Sequence, residues 1–338
     1  MSSNKKLAIY TLSHLSIDMG CFYILYACFA KSGMGSGVFA LGLLLYNIIA
    51  FGLQPLIGLL ADTKIRRFPI YALGAVFVLL GMCLCRFEWG ALVSCALGNA
   101  LFHAGAGREV LLESGGKAAP NGIFVSSGAL GVALGIFLGK LAVHKSLPSA
   151  LVFVFGIMLL FLDRADRCDL QPKVGSGNAA AALLCLFAIA VRALVGGYVL
   201  VPWENSGALV FISAACACLG KALGGALGDR FSFRSIGTAS QIIALVFIVV
   251  LGHIPLFMAL GLVLFNMAMP LTLVGVYDGF GSYPGFSFGL TTLALLLGTL
   301  PVFFFVPGGG GRTALLLVSI ALCAFVLYIA FGLGKEKK

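Results

Sequence analysis

Charge is what this chain has least of. Asp, Glu, Lys and Arg together make up 10% of its 338 residues, against 61% apolar residues. A soluble domain is about half apolar and about a quarter charged. A water-soluble globule keeps a large outer shell, and so few polar residues cannot cover one. With a mean hydropathy of +1.09, the solvent for most of the chain is lipid. Histidine is also scarce, with four residues in all (His14, His103, His144, His253), which argues against a metal centre. No H-E-x-x-H, G-x-S-x-G or Gly-rich P-loop occurs. No enzymatic activity, cofactor or metal is therefore expected. Acyl or phosphoryl transfer by His14 and Asp18 as an acid–base pair stays a remote alternative. No C-x-x-C pair occurs among the ten cysteines, and only Cys168 lies in a polar loop. The others read as small buried hydrophobes.

Lipid requires every backbone polar group to be satisfied internally, so spans are helices or a closed barrel. A barrel strand alternates apolar and polar. Here the apolar runs are continuous and about 20 residues long, the length of a spanning helix. Twelve spans are predicted: 7–30, 38–61, 69–86, 89–108, 121–141, 149–163, 180–201, 206–228, 234–251, 254–276, 284–306 and 312–333. The first contains His14 and Asp18 and lacks an A-x-A-like site, so it reads as a retained span, not a signal peptide.

The net charge of +10 invites a nucleic-acid reading, but topology explains it better. With the N-terminus in the cytoplasm, fifteen basic residues fall inside: Lys5, Lys6, Lys64, Arg66, Arg67, Arg108, Lys117, Arg164, Arg167, Lys173, Arg230, Arg234, Lys335, Lys337 and Lys338. Five fall outside (Lys31, Arg86, Lys140, Lys145, Arg312). Basic residues mark cytoplasmic loops, so both termini are expected in the cytoplasm and no nucleic-acid partner is expected. Arg192 and Lys221 remain within spans.

The longest polar stretch, Asp163–Asn178, divides the spans six and six. It sets the expected organisation: an N-terminal half (1–163), a cytoplasmic linker (164–179) and a C-terminal half (180–338). The halves echo each other. Gly58-Leu-Leu-Ala-Asp62 with Arg66 and Arg67 follows span 2. Gly225-Ala-Leu-Gly-Asp229 with Arg230 and Arg234 follows span 8. Leu101-Phe102-His103 in span 4 answers Leu264-Phe265-Asn266 in span 10. Six-span repeats are a transporter architecture with the substrate site near the midplane.

These paired G-x-x-x-D…R loops resemble the signature loop of the major facilitator superfamily, although Ile65 stands where a glycine is usual. Other stretches resemble one branch, the fosmidomycin-resistance efflux transporters. They are His14-x-x-x-Asp18, Leu53-Gln54-Pro55, Phe102-His103 with Arg108, Arg192, and Met269-Pro270-Leu271-Thr272-Leu273-Val274. The resemblance implies a monomeric, multi-pass protein of the bacterial inner (plasma) membrane. It further implies proton-coupled exchange of a small solute by alternating access. It departs at Ala104 and Gly105, where the branch has proline and glutamate. A span-5 stripe of Gly128, Gly131, Gly135 and Gly139 resembles the antiporter motif without its Gly-Pro.

The residues support specific roles. An aspartate at a helix centre costs about 2.5–3.5 kcal/mol to insert, and intramembrane ionisable groups are functional by default. Asp18, with His14 one turn away on the same face, reads as a proton-coupling pair or as a hydrogen-bonded structural pair. Arg192 stays charged and either binds an anionic substrate or balances Asp18. His103, Arg108, Lys221 and Asn266 join it as candidate substrate-binding residues, Arg108 being equally readable as half of a local ion pair. Asp62, Arg66, Arg67, Asp229, Arg230 and Arg234 read as cytoplasmic gate residues. Glu113 and Lys117 read as an exposed i,i+4 pair. The same carboxylate serves an importer of a nutrient anion, so the sequence leaves direction open.

Overall fold

The computed structural model describes residues 3–30, 35–162, 177–203, 210–281 and 283–334. Most of the expected linker, with Arg164, Arg167, Cys168 and Lys173, lies outside these residues, as do Lys31, Lys335, Lys337 and Lys338. The described chain is helical throughout. In order, the helices are α1 Ser3–Ile24, α2 Ser36–Gly52, α3 Gln54–Thr63, α4 Ile70–Cys83, α5 Glu88–Glu113, α6 Ala118–Lys140 and α7 Ser146–Leu160. They continue as α8 Ala179–Tyr198, α9 Val210–Arg230, α10 Phe233–Leu245, α11 Pro255–Asn266, α12 Ala268–Phe280, α13 Pro284–Thr299 and α14 Gly309–Leu333.

Among the described residues, nine helical stretches are long and apolar enough to cross a membrane, with α2 and α3 counted as one stretch and α11 and α12 as another. The helices α4 and α7 are apolar but shorter. The helix α5 runs five residues past the expected end of its span, through Arg108, Glu109 and Glu113. Large apolar side chains face outward, among them Leu56, Phe153, Phe161, Leu183 and Phe325, as suits a protein whose outer solvent is lipid.

Two expected spans are broken by proline. Pro55 has no N–H to donate back to Phe51, and the helix divides at Leu53 into α2 and α3. The carbonyl thus released accepts a hydrogen bond from Thr292 Oγ1 at 3.3 Å. Pro270 does the same to the span expected over 254–276, which divides at Met267 into α11 and α12. Such breaks persist in a membrane only where side chains or neighbouring helices satisfy the released backbone.

The helices gather into two compact units. One holds α1 to α5, α6 from Ser127 onward, α7, and Tyr283–Leu293 at the start of α13. The other holds Ser114–Ser126, α8 to α12, the rest of α13 from Ala294, and α14. Each unit therefore includes the first turns of a helix whose remainder belongs to the other. One core cluster of the second unit joins Val195, Tyr198, Trp203, Ala244, Ile248, Met258, Phe265, Leu316 and Ile320.

Candidate functional site

In the first unit, the structure brings four polar residues of α1 and α5 together inside an apolar core. His14, Asp18, Asn99 and His103 are all at most 7% exposed. Asn99 Nδ2 donates to Asp18 Oδ1 at 2.9 Å. His14 Nε2 lies 3.2 Å from Asp18 Oδ2, and His103 Nε2 lies 3.6 Å from Asp18 Oδ1. The two Nε2 atoms approach to 2.8 Å, with the rings nearly perpendicular at 86°. His103 Nδ1 lies 2.9 Å from the Asn99 carbonyl oxygen. A carbonyl only accepts, so His103 Nδ1 carries a hydrogen and its Nε2 faces His14 as an acceptor when the ring is neutral.

Gly128 of α6 closes this pocket. A Cβ there would stand 2.6 Å from both Asp18 Oδ2 and His14 Nε2, so only glycine lets α6 lie against the pair. His14, Asp18 and His103 each offer a donor atom within 4.8 Å of the others, as a metal set would. However, two nitrogens on a tetrahedral zinc with bonds of about 2.0–2.1 Å would stand about 3.3 Å apart. At 2.8 Å the His14–His103 spacing is instead the length of a hydrogen bond. His103, grouped with the substrate residues on sequence, thus stands with Asp18 and His14. Asn99 is not among the residues expected from sequence. Its signal was a lone asparagine in an apolar span, one turn before His103.

In the second unit, Arg192 of α8 is 6% exposed. Its guanidinium carbon stacks 5.1 Å from the centre of the Phe265 ring of α11, and its Nε has no hydrogen-bond partner among the described residues. No carboxylate forms an ion pair with it among those residues. A buried charge is costly unless paired and hydrogen-bonded, and cation–π stacking supplies only about 2 kcal/mol when desolvated. Asn266, next to Phe265, donates from Nδ2 to the Leu262 carbonyl at 2.9 Å. Lys221 Nζ reaches the Val125 carbonyl at 3.1 Å.

The two signature aspartates do the same local work in the two units. Asp62 accepts from the Gly285 and Phe286 amides at 3.1 and 2.9 Å, capping the N-terminus of α13. Asp229 accepts from the Ala118 and Ala119 amides at 2.7 and 2.8 Å, capping the N-terminus of α6. The first amides of a helix lack intrahelical partners and carry the positive end of its dipole, so a carboxylate suits both places. The glycine four residues earlier makes the approach possible. A Cβ at Gly58 would lie 2.1 Å from the Gly285 carbonyl oxygen.

Asp62 also receives Arg108 Nε at 2.9 Å, and Arg108 Nη1 reaches Glu109 Oε1 at 2.8 Å. Arg108 therefore sits in a buried network with Asp62 and Glu109. The exposed Arg66 donates from Nε to the Asp62 carbonyl oxygen, and Arg67 is exposed. Arg230 lies over Phe231 at 5.6 Å, and Arg234 lies over Tyr328 of α14 at 3.9 Å. Glu113 pairs with Lys6 of α1 at 3.2 Å. The exposed Glu113–Lys117 pair expected from spacing is replaced by a partner 107 residues away, because α5 ends against α1.

No protein-family model and no curated protein matches the sequence. Solved structures do match it in fold. One is a major facilitator superfamily transporter, FucP, in the outward conformation. It aligns with a TM-score of 0.69 and 13% identity over 97% of this chain and 97% of that one. Another is a variant of the fucose:proton symporter FucP of E. coli, with a TM-score of 0.66 and 16% identity over 96% and 97%. The chain has the fold of these major facilitator transporters.

Proposed function

We propose that the chain is a secondary active transporter. It exports a small organic anion or zwitterion in exchange for protons, by alternating access of two six-helix halves with both termini in the cytoplasm. The observation that carries this reading is Arg192: a buried guanidinium with no anionic partner among the described residues, on a chain of major facilitator fold. A protein holds such a charge at a cost of several kcal/mol, and a substrate anion would relieve it. Arg192 stacks on Phe265, and in this scheme Lys221 and Asn266 of the same unit stand with it on the substrate side. The proton site is Asp18 with His14, a carboxylate and a titratable ring in contact inside the membrane. Asp62 with Arg66, Arg67 and Arg108, and Asp229 with Arg230 and Arg234, act as the cytoplasmic gate by holding the ends of α13 and α6.

The resemblance of His14-x-x-x-Asp18 and the α12 stretch Met269–Val274 to the fosmidomycin-resistance branch suggests the first substrate to try, an anionic phosphonate. The test is proton flux in liposomes carrying an internal pH dye, with fosmidomycin and other small organic anions added. We expect anion-dependent proton movement, outward for the anion, that is lost in Arg192→Gln. Flux that is independent of added anion, or undiminished in Arg192→Gln, refutes the reading.

A further inference from the structure

We infer that the proton of this site is held between His14 Nε2 and His103 Nε2, with Asp18 staying a carboxylate as their fixed counter-charge. The inference rests on the proton-coupling reading above and moves the proton from the acid to the histidine pair.

The argument begins with the 2.8 Å separation of the two Nε2 atoms. Two nitrogen lone pairs do not face each other at that distance, so a hydrogen lies between them. The tautomer of His103 is set independently. Its Nδ1 hydrogen goes to the Asn99 carbonyl at 2.9 Å, which turns its Nε2 lone pair toward His14. Asp18 has a different environment. Its Oδ1 already accepts from Asn99 Nδ2 at 2.9 Å, and its Oδ2 stands 3.2 Å from His14 Nε2. Asp18 thus accepts from Asn99 through Oδ1 and lies 3.2 and 3.6 Å from the two Nε2 atoms that share the hydrogen, the place of an ionised counter-charge beside an imidazolium.

Apolar groups of neighbouring helices surround much of the pair. Gly128 and Gly131 present α6 to the pair without side chains. Phe102 lies 6.1 Å from the His14 ring. Met82, Val78 and Val152 of α4 and α7 meet α1 around Gly20. The other titratable groups that meet this part of α1 are the Tyr46 hydroxyl from α2 and the thiols of Cys21 and Cys95.

One consequence is mechanical. In the loaded state His14 is an imidazolium with a hydrogen on each nitrogen, and on release its Nε2–H bond breaks, the electron pair stays on Nε2, the proton passes to water and His14 becomes the neutral Nδ1–H ring. Two lone pairs are left facing each other across 2.8 Å. The rings must part, and with them α1 and α5. In this way proton release becomes a displacement. Asn99 and His103 act on α5 as a preset acceptor, and His14 and Asp18 act on α1 as the moving half. Asn99 is a positioning residue here, setting the His103 tautomer through its backbone carbonyl and holding the Asp18 carboxylate through its side-chain Nδ2.

The chain has only four histidines, so nitrogen-15 NMR of the full-length protein in lipid can resolve each ring, with His14→Gln and His103→Gln used for assignment. We expect a nitrogen–nitrogen coupling across the hydrogen bond joining His14 and His103. It should vanish, with both ring signals moving together, as the pH is raised. The carbon-13 carboxyl signal of Asp18 should hold its ionised position over the same range. Asn99→Ala keeps the backbone carbonyl that sets the His103 tautomer and removes only the side-chain amide on Asp18 Oδ1, so the coupling should persist in it, and its loss there would overturn the tautomer argument. The inference is overturned if the Asp18 carboxyl signal titrates while both imidazoles stay neutral, or if no coupling joins the two rings at any pH. The measurement uses no substrate and no gradient. Failure of anion-driven flux with the imidazole coupling intact would therefore overturn the transport reading while supporting this one.

Discussion

The two capping aspartates occupy matching sequence positions, yet their substitution should have unequal effects. Asp62 is buried, caps two amides and also balances Arg108. Asp229 is exposed and caps two amides. Asparagine keeps a capping oxygen but loses the charge. Removing one partner of a buried ion pair costs about 3–5 kcal/mol. Glu109 still holds Arg108, so Asp62→Asn should lie near the lower bound, about 3 kcal/mol. Alanine removes the cap as well, for about 1 kcal/mol more. Asp229→Asn should change stability by only a few tenths of a kcal/mol, and Asp229→Ala by about 1 kcal/mol. The assay is reversible unfolding of the purified protein in detergent, with hydrogen exchange at Gly285 and Phe286 as a local readout. For Asp62→Asn, the large loss should come with little change in cap protection. Equal losses for Asp62→Asn and Asp229→Asn would show that Arg108 is not balanced by Asp62, and the reasoning would fail.

Two further outcomes follow from the site geometry. Gly128→Ala would push a methyl to 2.6 Å from Asp18 Oδ2 and His14 Nε2. It should cost about 1–3 kcal/mol of stability and reduce proton flux in liposomes. Gly37→Ala, with nothing within 4 Å, should leave both unchanged, and equal effects would discount the contact. Arg192→Leu should stabilise the protein by about 1–4 kcal/mol, as apolar replacement of buried charge often does, while abolishing the anion response. A destabilised Arg192→Leu would mean that the guanidinium has a structural partner.

The helical class is legible in the sequence because of the solvent. Long apolar runs with few charges admit one solution in lipid, so the helical class could be read from composition. Pro55 and Pro270 mark places where a helix cannot carry its hydrogen bonds through, and the recurring G-x-x-x-D marks the two aspartates that cap α13 and α6. Asp18 and Arg192 stand out because a charge in an apolar run is too costly to be incidental. Partners, however, are a property of the fold. His103 meets His14 from 89 residues away, Asn99 meets Asp18 from 81, and Asp62 caps a helix 223 residues on. Spacing places neighbours on one helix only when they are three or four residues apart, so it found the His14–Asp18 pair and suggested a Glu113–Lys117 pair that α1 pre-empts with Lys6. Only tertiary packing decided which polar groups share a pocket, because burial forces each to find a partner and the helix laid beside it supplies one.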